Sequence, residues 1–296
     1  MPQQFSKGAF WLLLSCLVLP LMDATAKSFN GSMASSQIAF FRFLLQSLII
    51  LPFAWRALSR DSLTHLSGHL IRAAGLGFAT ICFFGAIQVM PIADALAIFF
   101  CEPLIVTVLA PLLLGEKVGW RRYAAVVVGF IGAIIIIQPS QQLFGYHALM
   151  PIGAAFGFSL YVIYTRKLSA SASAMTMQLI TGVIGAAVIA AVSLVMMPLS
   201  MPIFSWSMPT TDQLPLLLLL GIFAALGHWM LTHAFKFANA SVLAPLQYTE
   251  LIGATFVGWW LFDDIPLPST WLGSAILIGA GFYIWHRERL HQPADN

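Results

Sequence analysis

Two glutamates, Glu102 and Glu250, stand inside long apolar stretches and are the first residues of the chain whose type and placement suggest chemistry. Each lies about ten residues into its stretch, so at 1.5 Å per helical residue both sit roughly 15 Å deep. That depth is the midplane of a bilayer, where even the lower estimates set the cost of a charge at about 2.5–3.5 kcal/mol. A carboxyl poised there between its charged and neutral forms can exchange a proton with either side of the membrane or meet a polar substrate. The competing reading makes both residues protonated struts that join helices by hydrogen bonds. Pro103 follows Glu102 and Pro245 precedes Glu250. Each proline removes a backbone donor and predicts a helix kink beside its glutamate, either a working bend or a static one.

Other polar residues fall at comparable levels. Tyr248, Gln247, His228 and Gln88, with Trp229 and Phe99 as aromatic neighbours, join Glu102 and Glu250 as the expected lining of a substrate cavity. Arg42, within the second apolar stretch, and Asp23, near the outer end of the first, are expected to pair as a gate or a brace, because intramembrane charges seek each other. His228 and His233 are five residues apart and do not align on one helix face, which argues against a zinc site. Cys16, Cys82 and Cys101 are lone thiols in apolar segments, read as small core residues. No nucleophile stands beside a base and no glycine loop is built to cradle phosphate, so no catalytic residue, metal or cofactor is expected.

These residues need helices long enough to carry them across a membrane. The 296 residues are 59% hydrophobic and 8% charged, with a mean hydropathy of +0.88, far from a soluble domain with roughly 25% charged residues. The net charge of +3 is spread singly between apolar runs, which excludes a nucleic-acid surface. Apolar runs of membrane-spanning length are expected near residues 8–26, 34–54, 70–89, 92–114 and 122–138, then 146–165, 174–198, 214–235, 241–262 and 269–286. Lys7 before the first run resembles a leader peptide, but no small-residue cleavage site follows, and the run is read as a retained span. With the N-terminus inside, Lys7, Arg56, Arg60, Arg72, Lys117, Arg121, Arg122, Arg166, Lys167, Lys236, Arg287 and Arg289 fall on the cytoplasmic side, and Lys27 alone falls outside. That asymmetry places both termini in the cytoplasm. Residues 199–213, rich in Pro and Ser around Trp206, lie outside and read as a linker, with a lid as the alternative.

Sliding the chain by 148 residues lays the fourth span on the ninth: Glu102 meets Glu250 (250 − 102 = 148), Thr107 meets Thr255 and Gly115-Glu116 meets Asp263-Asp264. A repeat of five spans inverts its second copy, an arrangement that recurs in transporters whose substrate sites lie where the halves meet.

The motifs themselves are familiar. Arg42-Phe43, the run MPIADALAIFFCEPL with Glu102-Pro103, LLLGEKVGWRR from Leu112, YTRK from Tyr164 and FANASVLAPLQYTELIGA from Phe237 resemble the EamA family of the drug/metabolite transporter superfamily over nearly the whole chain. The resemblance implies an all-α integral inner-membrane, multi-pass protein of ten transmembrane helices, with one inverted EamA repeat in residues 1–141 and a second in 142–296. It also implies a central cavity working by alternating access. Asp263-Asp264 departs from the Gly-Glu that the family usually carries there. The stretch from Ala86 to Arg122 is similar to a subgroup holding riboflavin importers and S-adenosylmethionine uptake carriers. The implied partners are the lipid bilayer and a small molecule, a flat heteroaromatic, with protons as a coupling ion and the protein a monomer or homodimer. Riboflavin uptake is the first expectation for function; an S-adenosylmethionine carrier or an exporter of amino-acid-like metabolites is the alternative. A channel or membrane enzyme stands further off, because the polar groups cluster at mid-depth instead of lining a file or an interface.

Overall fold

The computed structural model describes residues 2–55, 65–115, 119–168, 172–234, 237 and 246–291. Among these the chain is all helical, with no strand. The helices are α1 (Pro2–Lys27), α2 (Ser35–Ala54), α3 (Leu66–Ile87), α4 (Ile92–Phe99), α5 (Glu102–Leu114), α6 (Trp120–Phe144), α7 (Met150–Leu168), α8 (Ala174–Met196), α9 (Leu214–Ala234), α10 (Glu250–Phe262) and α11 (Pro268–His291). Among the described residues, seven helical stretches are long and apolar enough to cross a membrane: Phe5–Lys27, Ser35–Ala54, Leu66–Ile87, Ile92–Leu114, Gln142–Leu168, Ala174–Leu199 and Thr211–Ala234. Tyr123–Ile137 and Glu250–Phe262 are shorter apolar helices. Pro245 and the start of the expected ninth span lie outside the described residues, as do Arg56, Arg60, Glu116, Lys117 and Lys236.

The fourth span is not one kinked helix. α4 ends at Phe99, the chain turns through Phe100 and Cys101, and α5 starts afresh at Glu102. Pro103 therefore opens a helix instead of bending one. It occupies the first turn of α5, where a fixed φ suits the helix and the missing N–H has no acceptor to lose. α10 begins at Glu250 after a turn at Tyr248 and Thr249, and both α5 and α10 are 13 residues long. Gly115 ends α5 at φ 70° and Asp263 ends α10 at φ 55°. Both take the left-handed cap that favours glycine but that aspartate tolerates better than most side chains.

The 148-residue offset extends well beyond the glutamates. Added to the first residues of α3, α5 and α6, which are 66, 102 and 120, it gives 214, 250 and 268, the first residues of α9, α10 and α11. The largest helix contacts run between the halves: α3 on α7, α1 on α9, α2 on α8 and α6 on α11. Lipid tails give apolar side chains little reason to leave them, so helices in a bilayer gain most from close backbone approach at small residues. Two seams show this. A Cβ on Gly75 would stand 2.7 Å from the Gly157 carbonyl oxygen and one on Gly157 2.5 Å from that of Gly75; between Gly132 and Gly273 the distances are 2.9 and 2.6 Å.

Residues 199–213 are tied down as a strap. Ser36 Oγ donates to the Ile203 carbonyl (2.6 Å), Gln37 Nε2 to that of Ser207 (2.5 Å), and Trp206 Nε1 to Ser36 Oγ (2.8 Å). The Trp206 ring lies 5.0 Å from that of Phe40.

The α3–α7 seam is directly testable. Gly157→Ala drives a methyl into backbone that cannot yield, and is expected to destabilise the protein by about 1–3 kcal/mol. At Gly279 a methyl would meet nothing within 4 Å, so Gly279→Ala should melt at or slightly above the wild-type temperature. Thermal melting of the two purified variants in detergent checks the difference.

Candidate functional site

One cavity sits where the halves meet. About 870 Å³ of space free of atoms lies within it, counting the open space at its mouth. α1 lines it from Leu12 to Asp23, a run of roughly 16 Å along the helix axis. α2 contributes Arg42, α3 a wall including Thr80, Phe83 and Phe84, the α4–α5 break Phe99, Phe100, Glu102 and Pro103, and α7 Phe158. α9 adds His228, the turn before α10 adds Gln247 and Tyr248, and α10 adds Glu250.

The two glutamates owe their positions to the helix breaks. Each is the first residue of its 13-residue helix, at the positive end of the helix dipole, while the first-turn N–H groups bond back to the preceding turn: Leu104 and Ile105 to the Cys101 carbonyl, Leu251 to that of Tyr248, and Ile252 and Gly253 to that of Thr249. Their neighbours differ. Glu102 is within electrostatic reach of Tyr248, whose ring meets Phe100 edge-on at 5.1 Å. Glu250 is within reach of Asp23 and of Cys16. The Phe99 ring packs edge-on against Phe83 (5.7 Å) and Phe158 (5.3 Å), giving the cavity an aromatic wall.

Three expectations change. Asp23 and Arg42 both reach the cavity, but no ion pair joins them among the described residues: the one there links Lys27 Nζ to Asp264 at 2.5 Å. Trp229 is absent from the cavity lining; its ring packs on Trp11 (5.3 Å) and stacks on His233 (5.2 Å). Adjacent helical residues point about 100° apart, so with His228 turned inward Trp229 must face elsewhere. Gln88 is also outside the lining. It clamps the α1–α2 turn, donating to the Ala26 carbonyl (2.8 Å) and accepting from Gly31 N–H (2.8 Å).

Several buried polar residues gave no sign of their roles in the sequence. Arg72, expected at the cytoplasmic side, is fully buried: it donates to Thr165 Oγ1 (2.7 Å), to the Met177 carbonyl (2.9 Å) and to Thr181, with its guanidinium 4.4 Å from the Tyr161 ring centre. Gln178 ties α2 to α9 by accepting from Gln46 Nε2 (3.1 Å) and donating to Thr232 Oγ1 (2.7 Å) and the His228 carbonyl (3.0 Å). Asp94, at the start of α4, accepts from Thr270 Oγ1 (2.6 Å) and Leu267 N–H (3.2 Å). Close by, Lys27 Nζ donates both to Asp264 and to the Met90 carbonyl (2.8 Å). The end of α1, the start of α4 and the α10–α11 loop are thereby latched together.

Comparison with known proteins gives this architecture relatives. A family model described as the EamA-like transporter family matches residues 6–138 and again 145–285. The S-adenosylmethionine uptake transporter of Rickettsia prowazekii is 28% identical over 286 residues, covering 96% of this chain and 94% of its own. The riboflavin transporter of Vibrio cholerae is 30% identical over 281 residues, 92% of this chain and 90% of its own. A pseudopaline exporter of Pseudomonas aeruginosa is 26% identical over 277 residues, 92% and 94% of the two chains. A solved structure described only as "Crystal structure of protein" superposes with a TM-score of 0.65 at 17% identity over 99% of this chain and 100% of its own; it shares the fold.

The latch makes an ordered set of effects. Asp264→Ala leaves Lys27 bonded to the Met90 carbonyl, whereas Lys27→Ala leaves the carboxylates of Asp264 and Asp94 within electrostatic reach of each other and without their cation. Lys27→Ala is therefore expected to be the more destabilising. Thermal melts of the two singles and the double should give a coupling of about 1 kcal/mol; strictly additive losses would show that the contact contributes nothing.

Proposed function

The chain belongs to the EamA-like transporter family, and from that membership we propose that it carries a small heteroaromatic metabolite with a charged head across a bacterial inner membrane, by alternating access through the cavity between its halves. The observation that carries this reading is the matched pair of glutamates: one from each half, each heading a 13-residue helix, both lining one cavity. Ten spans in two inverted repeats, residues 1–141 and 142–296, with both termini cytoplasmic, complete the proposed architecture. Its support is the 148-residue offset of the helix starts and the basic residues biased to one side.

The aromatic wall of Phe83, Phe84, Phe99, Phe100, Phe158 and Tyr248 suits a flat ring. Relatives named for S-adenosylmethionine and for riboflavin both handle such rings. Asp23, Arg42, Glu102 and Glu250 give the lining three carboxyls and a guanidinium, beside His228 and Tyr248, a set that favours the charged molecule, S-adenosylmethionine, over the neutral flavin. Riboflavin uptake is the second reading, supported by the Vibrio relative's name.

Protons are the proposed coupling ion, carried by Glu102 or Glu250. Gln keeps the size and hydrogen bonding of Glu but cannot exchange the proton. Glu102→Gln and Glu250→Gln proteins of normal abundance are expected to lose most uptake of labelled S-adenosylmethionine or riboflavin into proteoliposomes, and to lose its response to an imposed proton gradient. Wild-type rates and gradient response in both variants would reduce the glutamates to helix packing. Reporter fusions at each terminus should be active only in the cytoplasm; periplasmic activity would overturn the topology.

A further inference from the structure

Two arginines are buried among the described residues, and they are treated differently. Arg72 makes three hydrogen bonds to protein acceptors. Arg42 is 1% exposed, yet its Nε and Nη1 have no hydrogen-bond acceptor among the described residues. A guanidinium carries five N–H donors and is always charged, so burying one without acceptors is costly unless something else supplies them. The side chain is nonetheless held in place. Its guanidinium carbon stands 4.2 Å from the centre of the Phe43 ring, and that ring is itself seated against Gly185 of α8, where a Cβ would come within 2.8 Å of it. One face of the guanidinium is covered, and the group lines the central cavity.

The groups facing it share a pattern. Asp23, from α1, lies within electrostatic reach of Arg42 without forming an ion pair with it. His228, from α9, also lies within reach of Arg42, and its Nδ1 has no hydrogen-bond partner among the described residues. Tyr161 approaches from α7, and Glu250 stands beyond Asp23. A brace would have closed to contact, since nothing gains from holding opposite charges apart in a low-dielectric site. Opposite charges that line one cavity without pairing, with donors of the cationic partner unsatisfied, instead form a receptor for a molecule that carries both charges.

Resting on the carrier reading above, we infer that Arg42 binds the carboxylate of the transported molecule and Asp23 its ammonium group, so that the cavity selects an amino-acid head attached to a flat ring. The guanidinium fork matches a carboxylate in two parallel hydrogen bonds, which a lysine cannot reproduce. The head would sit between α1 and α2, and the ring would reach the phenylalanine wall.

The test is a ligand ladder in proteoliposomes: competition against labelled S-adenosylmethionine by unlabelled S-adenosylmethionine, its decarboxylated analogue and adenosine. Wild-type protein is expected to bind the decarboxylated analogue at least about tenfold more weakly than the parent, the loss of one charge-assisted hydrogen-bonded pair. Arg42→Gln should bring that ratio close to one while adenosine competes as before, and Arg42→Lys should keep a smaller preference. Equal binding of parent and decarboxylated analogue by the wild type overturns the receptor and needs no variant to show it. A wild type that carries riboflavin or adenosine and ignores S-adenosylmethionine also overturns the receptor but leaves the carrier standing. A wild type that accumulates none of these molecules removes both. An Arg42→Gln protein that weakens all three ligands alike would make Arg42 a brace.

Discussion

A backbone that crosses hydrocarbon must satisfy its own hydrogen bonds, so non-helical chain at membrane depth survives only where it lines a cavity or is buried in protein. The breaks at Phe100–Cys101 and at Tyr248–Thr249 obey this constraint, and the site depends on them. Continuous helices there would have left no helix start at Glu102 and Glu250 to set these residues at the positive end of a helix dipole. Both breaks open onto the same cavity, and turn hydrogen bonds such as Cys101 N–H to the Ile98 carbonyl and Leu251 N–H to that of Tyr248 keep the interrupted backbone paired. The left-handed caps at Gly115 and Asp263 end both glutamate helices after the same number of residues, so the two halves present their carboxyls in matching fashion.

The same constraint explains how the bundle is held. Without water to drive apolar faces together, the seams rely on backbone approach at Gly75–Gly157 and Gly132–Gly273 and on hydrogen bonds such as those of Gln178 and Arg72. The glycine seams, the Arg72–Met177 bond and the Gln46–Gln178 bond join one half of the chain to the other. The cavity between the halves is therefore bounded by rigid seams, and the polar latch at Lys27, Asp94 and Asp264 is of a different kind: charges and loops instead of interlocked glycines. Polar contacts can exchange partners with water at an interface at modest cost, which a glycine seam cannot do.

How far the site could be read from the sequence follows from the same physics. Glu102 and Glu250 were legible because a carboxyl in an apolar run has few innocent explanations, and their 148-residue spacing was visible in the letters. Arg42 and Asp23 were legible as intramembrane charges, but not that they would line one cavity without pairing, which depends on how α1 and α2 pack. His228 and Trp229 occupy neighbouring positions at one depth, and only the helix's rotation, fixed by contacts with α1, decides which faces inward. The break before Glu102 was hidden because Pro103 reads equally well as a kink and as a helix start. Arg72, Asp94 and Gln178 find their side-chain partners on other helices, at Thr165, Thr270 and Thr232, and no local pattern announces a partner so far along the chain.

Charge balance links the proposed substrate to the proposed coupling. The cavity holds three carboxyl groups, Asp23, Glu102 and Glu250, against the single permanent cation Arg42, and uncompensated charge is expensive at this depth. A zwitterionic head leaves the net charge of the cavity unchanged while satisfying both Arg42 and Asp23. A cationic centre elsewhere on the molecule, such as a sulfonium, adds a positive charge that a carboxyl must meet by giving up a proton. Exchange of a proton for a substrate cation would then keep the loaded and empty cavities at similar net charge. That similarity is what a carrier needs if it is to reorient in both states, because a site whose charge swung by a whole unit would be trapped facing water on one side.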